Sequence, residues 1–104
     1  MASYFKNEEN VLGYELINEP FVGNFYKDAS LFLNGKAGRK FLEPMYEKIH
    51  KKIRSVDDKK LIFIEPQMGN SIQSGFISTP GGEKYKNRTV YSYHIYCCLK
   101  NWAT

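Results

Sequence analysis

Val11-Leu12-Gly13-Tyr14-Glu15-Leu16-Ile17 is a short apolar run that stops at Asn18-Glu19-Pro20. Its length and the closing proline read as a buried strand, not a helix. Two further runs resemble it. Leu61-Ile62-Phe63-Ile64 ends at Glu65-Pro66, and a third strand is expected from Thr89 to about Cys97. That last run carries Val90, Tyr91, Tyr93, Ile95 and Tyr96, which favour extended backbone. Between the first two strands, Leu42, Met45, Tyr46, Ile49, Ile53 and Val56 recur at steps of three and four. This spacing predicts one amphipathic helix from about Arg39 to Val56. Pro44 fits only in its first turn, where a missing N–H costs nothing. Lys51, Lys52 and Arg54 gather at its C-terminus, where the helix dipole favours positive charge. Strand, helix, strand, long connection, strand predicts an α/β fold with a parallel sheet covered on both faces. Functional groups in such sheets gather at the C-terminal strand ends. The polar residues fall there: Asn18 and Glu19 on the first strand, Glu65 on the second, His94 and Tyr96 on the third.

The remaining segments are connections. Ser3 to Asn10 reads as the tail of a helix, and Asp57-Asp58 as a turn. Phe21 to Lys36 and Gln67 to Lys86 are rich in turn-forming residues and read as long loops, the second with room for a short helical turn. There is no internal repeat.

Composition narrows the function classes. A chain of 104 residues allows one small domain, and 42% apolar with 25% charged residues excludes collagen, coiled coil and disorder. No apolar run reaches the roughly 18 residues of a membrane span. Aromatics are abundant at 15%, which suits stacking against flat ligands such as sugars or bases. The net charge is +4, and basic residues concentrate between Lys36 and Lys60. Most of that stretch is the expected helix, so the charge reads as a solvated face and not as a nucleic-acid footprint. Cys97 and Cys98 are adjacent and form no ordinary disulfide with each other. No Cys/His spacing suggests a metal site. The N-terminal decapeptide has no apolar signal region, so either the protein is cytosolic or its start lies upstream. Asn87-Arg88-Thr89 is a sequon, relevant if the protein is secreted.

Taken together, these strand ends carry a family resemblance. Residues 11–20 resemble the fourth barrel strand of glycoside hydrolase family 5, whose Asn-Glu-Pro holds the acid/base glutamate. Leu61 to Pro66 is similar to the fifth strand, and Tyr93-His94-Ile95-Tyr96 resembles the family's His-x-Tyr on the sixth. Within the family, Gly-Tyr-Glu-Leu-Ile-Asn-Glu-Pro, Phe-Ile-Glu-Pro and Tyr-His-Ile-Tyr-Cys look most like the endoglycoceramidase branch. The resemblance implies a partial (β/α)8 TIM barrel: residues 1–104 would be a central fragment holding strands 4 to 6, where a full barrel needs about 250 residues. It implies a retaining β-glycosidase that hydrolyses O-glycosyl bonds of glycosphingolipids without a cofactor or metal. Glu19 would be the acid/base, while the nucleophile would come from a seventh strand outside this chain. Asn18 would bind the sugar 2-hydroxyl, His94 the sugar or the acid, and Tyr96 the nucleophile. Phe21 stands where the family usually has Trp, and is expected at the rim. Glu65 is expected as a rim or structural residue. Glu15 shares the parity of Glu19 but lies roughly 13 Å deeper along an extended strand, as a buried polar residue of the barrel interior.

The expected partner is a carbohydrate or glycolipid substrate, with no nucleic acid and no membrane span. Open sheet edges would favour self-association. The parent protein would be secreted or lysosomal, and the 104-residue chain alone would be inactive. The competing readings are a non-catalytic carbohydrate-binding remnant, a β-glucanase or cellulase of the same family, and a general basic binding domain.

Overall fold

The computed structural model describes residues 1–33, 35–68 and 73–95. After a short helix α1 (Ala2–Phe5), the apolar run at 11–17 pairs as a strand over Gly13–Glu15 (β1). Backbone bonds from Leu61 N–H to the Leu12 carbonyl and from Leu16 N–H to the Phe63 carbonyl, both 3.2 Å, bracket that pairing. Strand β2 is Leu61–Ile64, as its composition predicts. Strand β3 is Thr89–Tyr91, shorter than the expected 89–97, although Ser92 N–H still reaches the Ile64 carbonyl at 2.9 Å. The sheet order is β1-β2-β3 and both pairings are parallel. Gly13 faces Leu61 so closely that a Cβ there would run into the Leu61 carbonyl, so this register needs glycine.

The expected helix at 39–56 is present in two parts. A π-helical turn spans Gly38–Leu42 and an α-helix, α2, spans Glu43–Arg54. Pro44 has no N–H to offer the Lys40 carbonyl, so a regular α ladder cannot run through it. Leu42 and Tyr46 pack on Ile62 and Ile64, with Leu16, Met45, Ile53 and Phe76 around them. Tyr46 and Ile62 are both 0% exposed and centre this core.

The expectation of two covered faces needs correction. Burial alternates along β2: Ile62 and Ile64 are buried, Leu61 and Phe63 only partly. Among the described residues one layer, α2, covers one face. Over its described residues the connection to β3 supplies no second long helix: residues 73–82 are irregular, broken by Pro80, Gly81 and Gly82, and a 3-10 turn follows at Glu83–Arg88. The stretch at 21–36 is likewise not open loop. A 3-10 turn, Ala29–Phe32, is capped by Asp28, whose carboxylate accepts from Ser30 N–H at 3.2 Å. Val22, Leu31 and Ala37 form a second small core there, with Phe25 against it.

At the N-terminal strand edge, Arg54 departs from its reading as a solvated helix-end charge. Its guanidinium donates to the carbonyls of Lys60 (2.8 Å), Asp57 (3.2 Å) and Arg88 (3.4 Å), tying α2 to the starts of β2 and β3. Beside it, buried Asp57 accepts from the Tyr14 hydroxyl (2.7 Å) and from the amides of Lys59 (2.9 Å) and Lys60 (3.1 Å). Burial alone would raise the Asp57 pKa, but these donors outweigh it and hold the carboxyl below its ordinary value. A carboxylate with a depressed folded pKa stabilises the fold above its unfolded value, about 3.9, and that gain fades as pH falls through the folded pKa. Asp57→Asn is therefore expected to cost about 1.5–3 kcal/mol at pH 7, with the gap to the parent narrowing below about pH 4. Urea denaturation at pH 7 and pH 3 checks this. Among the described residues no helix is long and apolar enough to cross a membrane.

Candidate active site

Because the three strands run parallel, their C-terminal ends open on one edge, and Glu19, Glu65 and His94 meet there. Glu65 follows β2 directly and is 2% exposed. Its backbone carbonyl accepts from the Tyr46 hydroxyl at 2.7 Å, which fixes it from the core side. Its Oε2 accepts from Glu19 N–H at 2.8 Å, and Met68 N–H reaches the Pro20 carbonyl at 2.9 Å. The chain after β1 is thus pinned to the chain after β2. Glu19 adopts φ 45°, a left-handed conformation uncommon for a residue with a side chain. Such a conformation persists where surrounding bonds hold it, and the bond to Glu65 is one of them.

His94 closes the group. Its Nδ1 lies 2.7 Å from Glu19 Oε1, and its Nε2 lies 3.3 Å from Glu65 Oε1. The second approach has ion-pair distance without hydrogen-bond alignment, so Glu65 Oε1 has no hydrogen-bond partner although it is buried. The hydrogen bond to Glu19 is the main cause of a raised His94 pKa. The nearby charges of Glu65, Glu19 and Glu15 add to it, against the cost of desolvation. The imidazolium therefore survives to higher pH than that of an ordinary histidine. Glu15 completes the set. It is an exposed strand residue here, not a buried and separate one, and it hydrogen-bonds Glu65. Glu15 pairs in register with Phe63, one pleat repeat before Glu65, so the diagonal is within reach of two long side chains. That hydrogen bond, then burial and the charge of Glu65, raise the Glu15 pKa, while Ser92 and His94 oppose it.

Of the expected site residues, Glu19, Glu65 and His94 are brought together. Glu65, expected as a rim or structural residue, is buried and accepts from the Glu19 amide. The side chains of Glu19 and His94 keep 25% and 38% of their exposure, so both stay accessible from the open edge. Asn18 is exposed beside Glu19. Phe21 is 53% exposed and meets Phe25 and Phe32 edge-on, at 5.9 and 6.3 Å. Tyr96, Cys97 and Cys98 lie outside the described residues. Asn87 is exposed on the turn entering β3, at the opposite strand edge. The sequence reading passed over Ser92 and Gln67. Ser92 shares the strand parity of His94, which could have signalled it. Gln67 is buried with its Oε1 lacking a partner, and its place after Glu65-Pro66 carried no such signal. Among the described residues no group of three or more His, Cys, Asp or Glu is arranged to hold a metal ion. A carboxyl group and an imidazole sharing a 2.7 Å contact at an accessible edge can donate and accept a proton.

Known proteins similar to the chain point to one family. The family model for cellulase (glycosyl hydrolase family 5) matches residues 1–103. An endoglycoceramidase of Cyanea nozakii is 48% identical over 95 residues, covering 91% of this chain and 19% of that protein. An endoglycoceramidase of Hydra vulgaris is 46% identical over 95 residues, covering 91% of this chain and 18% of that protein. The chain thus spans about a fifth of the length of these relatives. No solved structure matches it significantly. A match over nearly the whole chain assigns it: this chain belongs to the cellulase family, glycosyl hydrolase family 5.

Proposed function

We propose that residues 1–104 supply strands four to six of a (β/α)8 barrel in a retaining β-glycosidase that cleaves the bond between glycan and ceramide. The observation that carries this reading is the Glu19–His94 pair at 2.7 Å on the C-terminal edge of parallel strands. In a retaining mechanism, one carboxyl group gives its proton to the glycosidic oxygen as a second carboxylate attacks the anomeric carbon. The first group, now a carboxylate, takes a proton from the water that releases the sugar. Glu19 has the accessibility for this role and Glu65 has not. The second carboxylate comes from outside residues 1–104. Asn18, beside Glu19, holds the sugar 2-hydroxyl and Phe21 gives an apolar wall, while the family resemblance gives the Tyr96 hydroxyl the role of hydrogen-bonding the nucleophile. The likeness to two proteins named endoglycoceramidase supports ceramide as the aglycone.

Two measurements test this. The complete polypeptide is expected to release intact glycan from a glycosphingolipid. Hydrolysis of a β-glucan with none of a glycosphingolipid would favour the cellulase reading. Residues 1–104 alone are expected to hydrolyse neither a glycosphingolipid nor an aryl β-glucoside. Turnover by that segment, abolished by Glu19→Gln, would show that it needs no second carboxylate from elsewhere.

A further inference from the structure

Glu65 is buried, charged and in contact with both accessible members of the site, yet glycoside cleavage as derived above gives it no task. A carboxylate inside the fold is costly unless its oxygens are paired. One oxygen, Oε2, is paired with the Glu19 amide. The other, Oε1, lacks a hydrogen bond and faces His94 Nε2 at 3.3 Å. A lone pair on Nε2 would repel that oxygen, whereas an N–H there is attracted to it. His94 has two forms that place a proton on Nε2: the imidazolium and the neutral Nε2–H tautomer. In both, proton exchange is left to Nδ1, the nitrogen 2.7 Å from Glu19.

We propose that Glu65 is a positioning residue that acts on Glu19 twice: it anchors the Glu19 backbone through Oε2, and through Oε1 it keeps a proton on His94 Nε2, so that Nδ1 alone exchanges a proton with Glu19. The first action holds the left-handed turn that aims the Glu19 side chain out of the sheet edge. The second makes His94 a one-sided partner. With Glu19 ionised, imidazolium Nδ1–H donates to Oε1. When the proton of this contact sits on Glu19 Oε1, Nδ1 of the neutral ring accepts from it. One proton moves within one contact and no further group is needed. Glu15, on β1, hydrogen-bonds Glu65, and that bond is the first cause of its raised pKa. Ser92, following β3, hydrogen-bonds Glu15, and from α2 the Tyr46 hydroxyl binds the Glu65 carbonyl. The orienting role resembles that of any carboxylate that fixes the tautomer of a catalytic imidazole.

The inference rests on Glu19 as the acid/base, and its test can fail separately. In the complete polypeptide, imidazole 15N shifts of His94 are followed through its titration. The unmodified protein should hold the doubly protonated ring, which serves both contacts, to a higher pH than an ordinary histidine does. A His94 midpoint at or below the ordinary histidine value would overturn the proposal, and this reading needs no variant to fold. Glu65→Gln keeps the size and an acceptor for the Glu19 amide but removes the charge. It should lower the proton affinity of His94 about tenfold or more, as loss of an opposite charge within about 4–6 Å does, and leave His50 unmoved. An unchanged His94 midpoint, with the His50 resonances as in the parent, would overturn the proposal. Glu19→Gln decides the other reading by activity alone: full hydrolysis by that variant removes the acid/base assignment and leaves the His94 result standing.

Discussion

Glu19→Gln is expected to lower kcat/KM for glycosphingolipid hydrolysis by roughly 10²–10⁴-fold, the usual worth of a positioned general acid. The loss follows from the leaving group. A ceramide alkoxide is a poor leaving group and needs a proton as the bond breaks, and Gln has none to give. A dinitrophenolate needs no proton. With a dinitrophenyl β-glycoside the first step should survive in the variant, and the stalled second step should be restored by azide, yielding a β-glycosyl azide. The thermal midpoint should hardly change, because the Glu19 side chain is partly exposed and Gln still offers an oxygen to His94. Steady-state rates on both substrates, with and without azide, check this. An equal loss on both, without azide product, would make Glu19 a binding or structural residue.

Tyr46→Ala is expected to be the most destabilising of the core substitutions, by about 3–5 kcal/mol, from lost burial and the cavity left behind. Tyr46 is fully buried between α2 and the sheet and lies edge-on to Phe76 at 5.9 Å. Tyr46→Phe keeps the ring and removes only the hydroxyl. It leaves the Glu65 carbonyl without that donor, at about 1–3 kcal/mol for an unsatisfied buried group. The pair of variants separates packing from site support. Tyr46→Phe should also disturb activity beyond its stability cost, since the carbonyl it releases belongs to the residue under Glu19. Denaturant titration and kcat/KM at a temperature where both variants are folded measure the two effects.

Much of this arrangement could be read along the chain. The runs at 11–17 and 61–64 read as strands, although of the first only Gly13–Glu15 pairs and only Tyr14 is buried, and the Leu42-to-Ile53 spacing commits one helix face. Parallel strands then bring Glu19, Glu65 and His94 to one edge, because each lies within four residues of the C-terminal end of its own strand. Local pattern could not tell which polar residues at that edge stay accessible. Glu65 and Glu19 are both strand-ending glutamates followed by proline. One is buried and the other is not, because the chain after β1 takes a left-handed turn at Glu19 and the chain after β2 goes inward under it.

Register decided the rest. Glu15 looks remote from Glu19 on a single extended strand, where distance grows with every residue. Across strands, the offset that pairs Glu15 with Phe63 carries it to Glu65, and so into the same proton network. The covered face was also a matter of assembly. A fully apolar strand such as Leu61–Ile64 is compatible with burial on both sides, and only the docking of α2 on Ile62 and Ile64 shows which side this segment covers itself. The sequence alone determined the strands, the helix, the edge and the chemistry of its residues, since these depend on local propensity and spacing. Which carboxyl group is accessible and which supports another was left to tertiary structure, because burial and charge coupling depend on neighbours distant in the chain.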